Sequence, residues 1–293
     1  MIIKNVFNII LPVYNAESSI RQCIESILSQ TFKDWRLFVM DDGSSDHTWR
    51  IITSYNDSRI NTFQQSNAGA YVARNNLIAH ADCQYLAFID SDDTWVADKL
   101  EKQLATHNLG YDFVCSDAKI YAKNSVFHST TFGKLNGLTG GTFSIEDLLR
   151  HRANFIIQSS VSVNFSKYRK IGPFVEEKLA ADFVQWLRFL ERLPRKEFFY
   201  DSAPLCTYCI HDKNISSDVV KKYESFEKSI SQVIGEFGLK TKSLVEKKLK
   251  KNQIVIALKS RKPLKVFNLA LRHPLLFLNV LRDRVKFLAS LHR

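Results

Sequence analysis

The sequence predicts an α/β fold with a mostly parallel central sheet, because strand-length apolar runs alternate with helical periodicities between residues 6 and 90. A polar cluster follows each run, and in such sheets ligands bind beyond the carboxyl ends of the strands. The strands are VFNIIL, WRLFVM, RINTF and YLAFI; the clusters after them are YNAE, DDGSSD, NAGA and DSDD. Asn, Asp, Gly and Ser favour turns and helix caps in any protein. Four such clusters at successive strand ends instead mark one crevice.

Taken in order, Ile20, Cys23, Ile24, Ile27 and Leu28 recur at helical spacing after the first strand, and 46–55, 70–81 and 97–107 read as further helices. DFVCSDAKIYA continues the sheet, and 123–143 is a polar, Gly-containing loop of the length used for lids and acceptor loops. Ser144 opens SIED, a capping-box pattern before a short helix, and ADFVQWLRFLER at 181–192 is an amphipathic helix. The strand-like APLCTYCI carries a CxxC with no second ligand pair, so Cys206 and Cys209 read as structural. Five scattered cysteines make no disulfide framework.

The charge is unevenly placed. The net charge is +11, yet residues 240–293 hold 15 of the 41 Lys and Arg and only Glu246 and Asp283 of the 30 acids. That tail is +13, and the 26 basic and 28 acidic residues before it leave −2. In the tail Lys alternates with Leu, Val and Ile, and Leu264, Phe267, Leu271, Leu275 and Leu278 recur at three or four residues. Basic amphipathic helices of this kind lie in anionic headgroup layers. Few aromatics interleave with the basic residues, which disfavours nucleic acid as a partner. The N-terminus lacks the features of a secretory signal, and charges interrupt every apolar stretch near membrane-spanning length. A cytoplasmic protein, peripheral at the inner face of the cell membrane, is expected.

The chemistry rests on carboxylates. A nucleotide diphosphate calls for a hard cation, and Mg²⁺ or Mn²⁺ takes oxygen ligands from one or two carboxylates plus the phosphates. Asp90, Asp92 and Asp93 could supply them, and three acids within four residues repel one another without a cation or donors nearby. Tyr14 suits stacking on a base, Asp41 suits accepting a ring N–H, and the Arg74 fork suits a diphosphate.

Together LPVYNAE, VMDDGSSDHT, NAGAYVARN and FIDSDDTW resemble the family 2 glycosyltransferases of the GT-A fold, densely over residues 6–100. The resemblance implies a Rossmann-like sheet with helices on both faces. With it the chain is read as a catalytic domain over 1–215, with a nucleotide-sugar half to about 110 and an acceptor half beyond, while charge and periodicity mark a basic helical tail at 216–293. By that resemblance the nucleotide-sugar contacts fall on Pro12, Tyr14, Glu17, Asp41, Arg74 and Asp90, and the metal contacts on Asp92 and His211. Enzymes of this family invert the anomeric centre by direct displacement, which needs one general base. The family's Glu-Asp pair before its LWLR-like helix corresponds to Ala181-Asp182, so Asp182 is the expected base. Gln185 and Arg188 resemble part of the Gln-x-x-Arg-Trp of processive synthases, but Phe189 stands where Trp belongs, which favours single-sugar transfer. The implied reaction moves one sugar, from a UDP-sugar by the family's habit, to a lipid-linked saccharide in O-antigen or capsule synthesis. The alternatives are a sugar nucleotidyltransferase, which would need a Gly-rich basic loop after the first strand, and an inactive nucleotide-sugar-binding homologue.

Overall fold

A computed structural model describes residues 5–122, 139–150, 156–177, 179–194, 197–210, 219–259 and 269–281. β1 (Asn5–Val13), β2 (Trp35–Asp41), β3 (Ile60–Gln64) and β4 (Cys83–Phe88) are parallel neighbours in the order β3-β2-β1-β4. They are linked by α1 (Ile20–Leu28), α2 (Thr48–Thr53) and α3 (Ala70–Ala79). Strand order reverses between β1 and β4, which places a crevice at their carboxyl ends. After β5 (Thr94–Trp95) and α4 (Lys99–Asn108), the sheet continues as β4-β7-β6-β8-β5 through β6 (Phe113–Ala122), β7 (Ser162–Asn164) and β8 (Phe198–Ile210). β7 is antiparallel to both β4 and β6, whereas β6 and β8 pair in parallel across a bulge at Asp117.

Period-two alternation sends the two faces of β1 into different cores. Phe7, Ile9, Leu11 and Val13 pack with Ile20, Cys23, Ile24 and Ile27 of α1, Ile52 of α2 and Leu100 of α4. Ile10 packs on the other side with Ala73, Leu77 and Ile78 of α3. That second core also takes α5 (Ile145–Arg150), α6 (Phe165–Ile171), α7 (Ala181–Arg192), α8 (Val219–Val233) and α9 (Leu239–Lys259) through Leu148, Tyr168, Trp186, Phe226 and Val245. Helices therefore cover both faces, as expected. The capping box is formed at α5 with Asp147 in the reciprocal position: Ser144 N–H and Oγ donate to Asp147 Oδ2, and Asp147 N–H returns to Ser144 Oγ.

The basic segment divides. Val245, Ile254 and Ala257 of α9 are fully buried, Glu191 accepts from Gly238 N–H and Thr241 Oγ1, and Lys240 pairs with Glu146 at 2.6 Å. Residues 219–259 thus share a core with α7, and α9 docks on the body of the protein. The described helical residues beyond it, 269–272 and 274–281, leave Leu271, Leu275 and Leu278 exposed.

One buried cation sits behind the strand ends. Lys99 is fully buried, donates to Gln103 Oε1 at 2.5 Å and lies 4.3 Å from the Trp95 ring centre. Gln103 Nε2 and Trp95 Nε1 donate to Ser160 O and Ser159 O at 2.7 and 2.8 Å, which fixes the turn at 158–160. Burial pushes the Lys99 amine down from 10.5 to about 7. Between those pH values the unfolded chain holds a proton that the folded chain has released, so this group makes stability rise with pH across the window and costs most below it. At about 1.4 kcal/mol per pH unit the upper limit over the window is about 5 kcal/mol. Lys99→Met should therefore gain most in melting temperature, relative to wild type, below pH 7, with the gain shrinking towards pH 10.5. A pH-independent difference in calorimetry would contradict this.

Candidate active site

The β1 and β2 loops interlock. Asn15, at φ 47°, donates its backbone N–H to Ser44 Oγ at 2.9 Å and accepts Ser45 N–H on its Oδ1 at 2.8 Å. Glu17 Oε2 accepts the His47 N–H at 3.0 Å, and Asp46 Oδ2 accepts the Glu17 N–H at 3.2 Å. This cross-bracing leaves Tyr14 half exposed at the mouth of the crevice, with Pro12 buried beneath it on β1. Asp41 is fully buried: Oδ1 accepts the Ser44 N–H and hydroxyl, and Oδ2 accepts Gln64 Nε2 at 2.9 Å.

Asp42 acts as a bracket for the next loop. Its Oδ1 accepts Gln65 Nε2 and Ala68 N–H, and its Oδ2 accepts Gly69 N–H, each at 2.8 Å. Gly43 follows at φ 73°, where a Cβ would stand 2.9 Å from Asn67 N. Only glycine meets both conditions, so the DDG sequence fixes where α3 begins.

α3 carries the link between the two halves of the crevice. Arg74, 4% exposed, forms an ion pair with Asp90, and its guanidinium lies 4.9 Å from the ring centre of Tyr71, one turn earlier. Burial alone would disfavour the Arg74 charge, but Asp90, Tyr71 and Asp182 outweigh it and raise its pKa. Among the described residues, Arg74 Nε has no hydrogen-bond partner. Tyr71 donates its hydroxyl to Asp182 Oδ1 at 3.2 Å, and burial followed by the Asp182 charge pushes that phenol well up. Asp182 stands in the first turn of α7, where the helix dipole favours an anion. That helix starts from Ala180 at φ 58°, and Ala181, where the family usually has Glu, is fully buried.

DSDD closes the crevice from the β4 side. Asp90 N–H donates to Ser159 Oγ at 3.0 Å, and the same hydroxyl donates to Asp93 Oδ2. Asp93 Oδ1 accepts the Cys209 N–H at 3.0 Å. Asp93 is fully buried, and burial, then Asp92 and Asp90, raise its carboxyl well above the ordinary range. Asp93 is thereby a structural acid, while Asp90 and Asp92 remain partly exposed. Among the described residues no group of three or more His, Cys, Asp or Glu converges as a metal cage. A pair of carboxylates facing a crevice fits the alternative, a hard cation completed by phosphate oxygens.

Pro12 and Asp41 lie at the carboxyl ends of β1 and β2, Tyr14, Glu17, Asp90 and Asp92 on the loops after β1 and β4, Arg74 within α3 and Asp182 in the first turn of α7, while His211 lies outside the described residues. Sequence reasoning missed Tyr71 and Ser159. The first had a usable signal in its i, i+3 spacing from Arg74; the second had none, since QSS before a strand is ordinary. Gln185 and Arg188 hold the backbone: Gln185 Nε2 donates to Gly172 O, and Arg188 donates to Ile171 O, Pro173 O and Glu236. The resemblance to the processive motif is therefore met by a structural use.

Comparison with known proteins agrees with this geometry. Residues 8–172 match the family described as Glycosyl transferase family 2. WfaP of Escherichia coli, a UDP-Glc:alpha-D-GlcNAc-diphosphoundecaprenol beta-1,3-glucosyltransferase, is 42% identical over 191 residues, 63% of this chain and 70% of WfaP. WfgD of the same organism, given the same activity, is 46% identical over 99 residues, 33% of this chain and 39% of WfgD. TuaG of Bacillus subtilis, a putative teichuronic acid biosynthesis glycosyltransferase, is 42% identical over 104 residues, 34% of this chain and 41% of TuaG, so the matches to WfgD and TuaG span about two fifths of each. The crystal structure of Staphylococcus aureus TarS in complex with UDP-GlcNAc superposes with a TM-score of 0.69 at 19% identity, covering 96% of this chain and 81% of that one, which shows the shared fold. With the motif loops assembled around one crevice and more than half its length matched, the chain belongs to glycosyl transferase family 2.

Proposed function

We propose that this chain transfers one sugar, with inversion, from a UDP-sugar to a hydroxyl of a lipid diphosphate-linked saccharide in surface polysaccharide synthesis. The observation that carries the proposal is the connected set Asp182, Tyr71, Arg74 and Asp90, which brings a carboxylate suited to proton removal to the same crevice as the acids at the end of β4. The activities named for WfaP and WfgD, and the UDP-GlcNAc bound by TarS, support the donor and acceptor classes.

In this reading Tyr14 covers the base, and Arg74, held by Asp90, lends its positive charge to the side of the crevice that takes the diphosphate. As the acceptor oxygen bonds to the anomeric carbon, Asp182 takes its proton and the bond to the nucleoside diphosphate breaks. Mg²⁺ or Mn²⁺, held by Asp92 with Asp90 beside it, would neutralise the charge of the departing diphosphate. Incubation with UDP-glucose and a synthetic GlcNAc-diphosphate-alkyl acceptor should add one hexose in a metal-dependent way. Absence of product with UDP-glucose, UDP-GlcNAc and UDP-galactose alike would overturn the donor and acceptor assignment.

We also propose that the tail holds the enzyme at an anionic membrane surface. Among the described residues no helix is long and apolar enough to cross a membrane. Leu271, Leu275 and Leu278 are instead 65%, 77% and 60% exposed in a basic segment, as a helix lying in the headgroup layer requires. Burying a leucine is worth about 1.5–3 kcal/mol, so replacing all three by Ser should lower affinity for phosphatidylglycerol vesicles by at least ~10-fold. Unchanged flotation of that variant would remove the tail from the contact.

A further inference from the structure

α3 and α7 are fastened to each other twice, and the two fastenings differ in character. At the first, the segment 171–174 is held from both sides. Asn75 of α3 exchanges two 3.0 Å hydrogen bonds with the Phe174 backbone, and Gln185 and Arg188 of α7 bind the carbonyls of Gly172, Ile171 and Pro173. That frame sets the spacing of the helices through side chains that bind the 171–174 backbone. The second fastening is the Tyr71 hydroxyl on Asp182 Oδ1, at the crevice end. The Tyr71 ring has its own support, with Phe174 at 5.7 Å between centroids and the Arg74 guanidinium at 4.9 Å. Packing therefore fixes where the ring lies, and its hydroxyl meets Asp182 at both the carboxylate and the backbone.

We propose that Tyr71 is a positioning residue for the general base: its hydroxyl holds the Asp182 carboxylate in the orientation that receives the acceptor's proton, in register with the donor acids through Arg74. The proposal rests on the reading of Asp182 as the base. A carboxylate at a helix start turns readily about its terminal torsion, and a donor on one oxygen restricts that rotation. Because the same ring face bears on Arg74, which pairs with Asp90, the base and the β4 acids are referenced to one rigid helix rather than to separate loops. Pre-organisation of this kind raises kcat without adding contacts to the donor.

The test is Tyr71→Phe in the full chain, which keeps the ring and deletes only the hydroxyl, assayed with the donor and acceptor pair that wild type turns over. The expected result is a fall of about 10-fold in kcat, an unchanged KM for the donor, and an unchanged melting temperature shift with UDP and Mn²⁺. In the Tyr71→Phe/Asp182→Asn double variant the tyrosine change should have no further effect, because the group it positions is already gone. Unchanged kcat in Tyr71→Phe, with Asp182→Asn inactive, would overturn the positioning role and leave the base assignment standing. Full activity of Asp182→Asn would overturn the base assignment and this role with it. A raised donor KM in Tyr71→Phe, or an equal loss in both backgrounds, would assign Tyr71 to the donor site and also overturn the proposal.

Discussion

Asp182→Asn is expected to lower kcat by about 10²- to 10⁴-fold, the range general-base catalysis contributes, while donor binding survives. The change is nearly isosteric, and an amide oxygen can still accept the Tyr71 hydroxyl that now reaches Asp182 Oδ1 at 3.2 Å. What is lost is the capacity to take a proton. No rearrangement of α7 is expected, because the helix is held by Trp186, Leu187 and Phe189 in the core and by Gln185 and Arg188 on the 171–173 backbone. Single-turnover measurement with saturating donor isolates the chemical step. Wild-type turnover in this variant would refute the assignment of Asp182, whatever the fate of the donor assignment.

The second large effect is expected at Asp92. In the proposed reading Asp92 holds the cation, as the family resemblance implies, while Asp93 is bound by Ser159 and the Cys209 N–H and Asp90 is paired with Arg74. A ligand at about 100 times its dissociation constant stabilises the folded state by roughly 2.7 kcal/mol. In a chain of this size that corresponds to a shift of about 5–10 °C. Wild type should show such a shift with UDP plus Mn²⁺ and a smaller one with UDP alone; Asp92→Ala should abolish the difference between them. Equal metal-dependent shifts in both proteins, read by differential scanning fluorimetry, would move the cation elsewhere.

The parallel half of the sheet was legible in the sequence because its contacts are local in pattern. β1 to β4 each declare themselves by an apolar run and a polar terminus, and α1 by a stripe whose members Ile20, Cys23, Ile24 and Ile27 are all fully buried. The rest of the sheet was less legible for a topological reason. β7 is only three residues long and owes its place to pairing with β4 and β6, a long-range effect that no window of the sequence contains. α9 was ambiguous because Lys alternates with Leu and Val along it, a pattern shared by helices on a membrane surface and helices docked on a core, and only the structure shows Val245, Ile254 and Ala257 buried. At the site, carboxylates were readable because their clustering is costly without a purpose. Ser159 was not, because a serine becomes informative only when the groups above and below it, Asp90 N–H and Asp93 Oδ2, are seen together.

The antiparallel seam between β4 and β7 bears on how the chain is made. β4 ends at Phe88 and its partner begins only at Ser162. At the usual pace of synthesis the ribosome takes about 4–15 s to cover that interval. Meanwhile the finished parallel half presents the bare edge of Tyr85, Leu86 and Ala87, which Asn164, Val163 and Ser162 will later cover. An open apolar edge is a template for joining another chain. β7 is thus also the edge guard of the parallel half, and a nascent chain stalled before β7 is the form most exposed to aggregation and most in need of a chaperone.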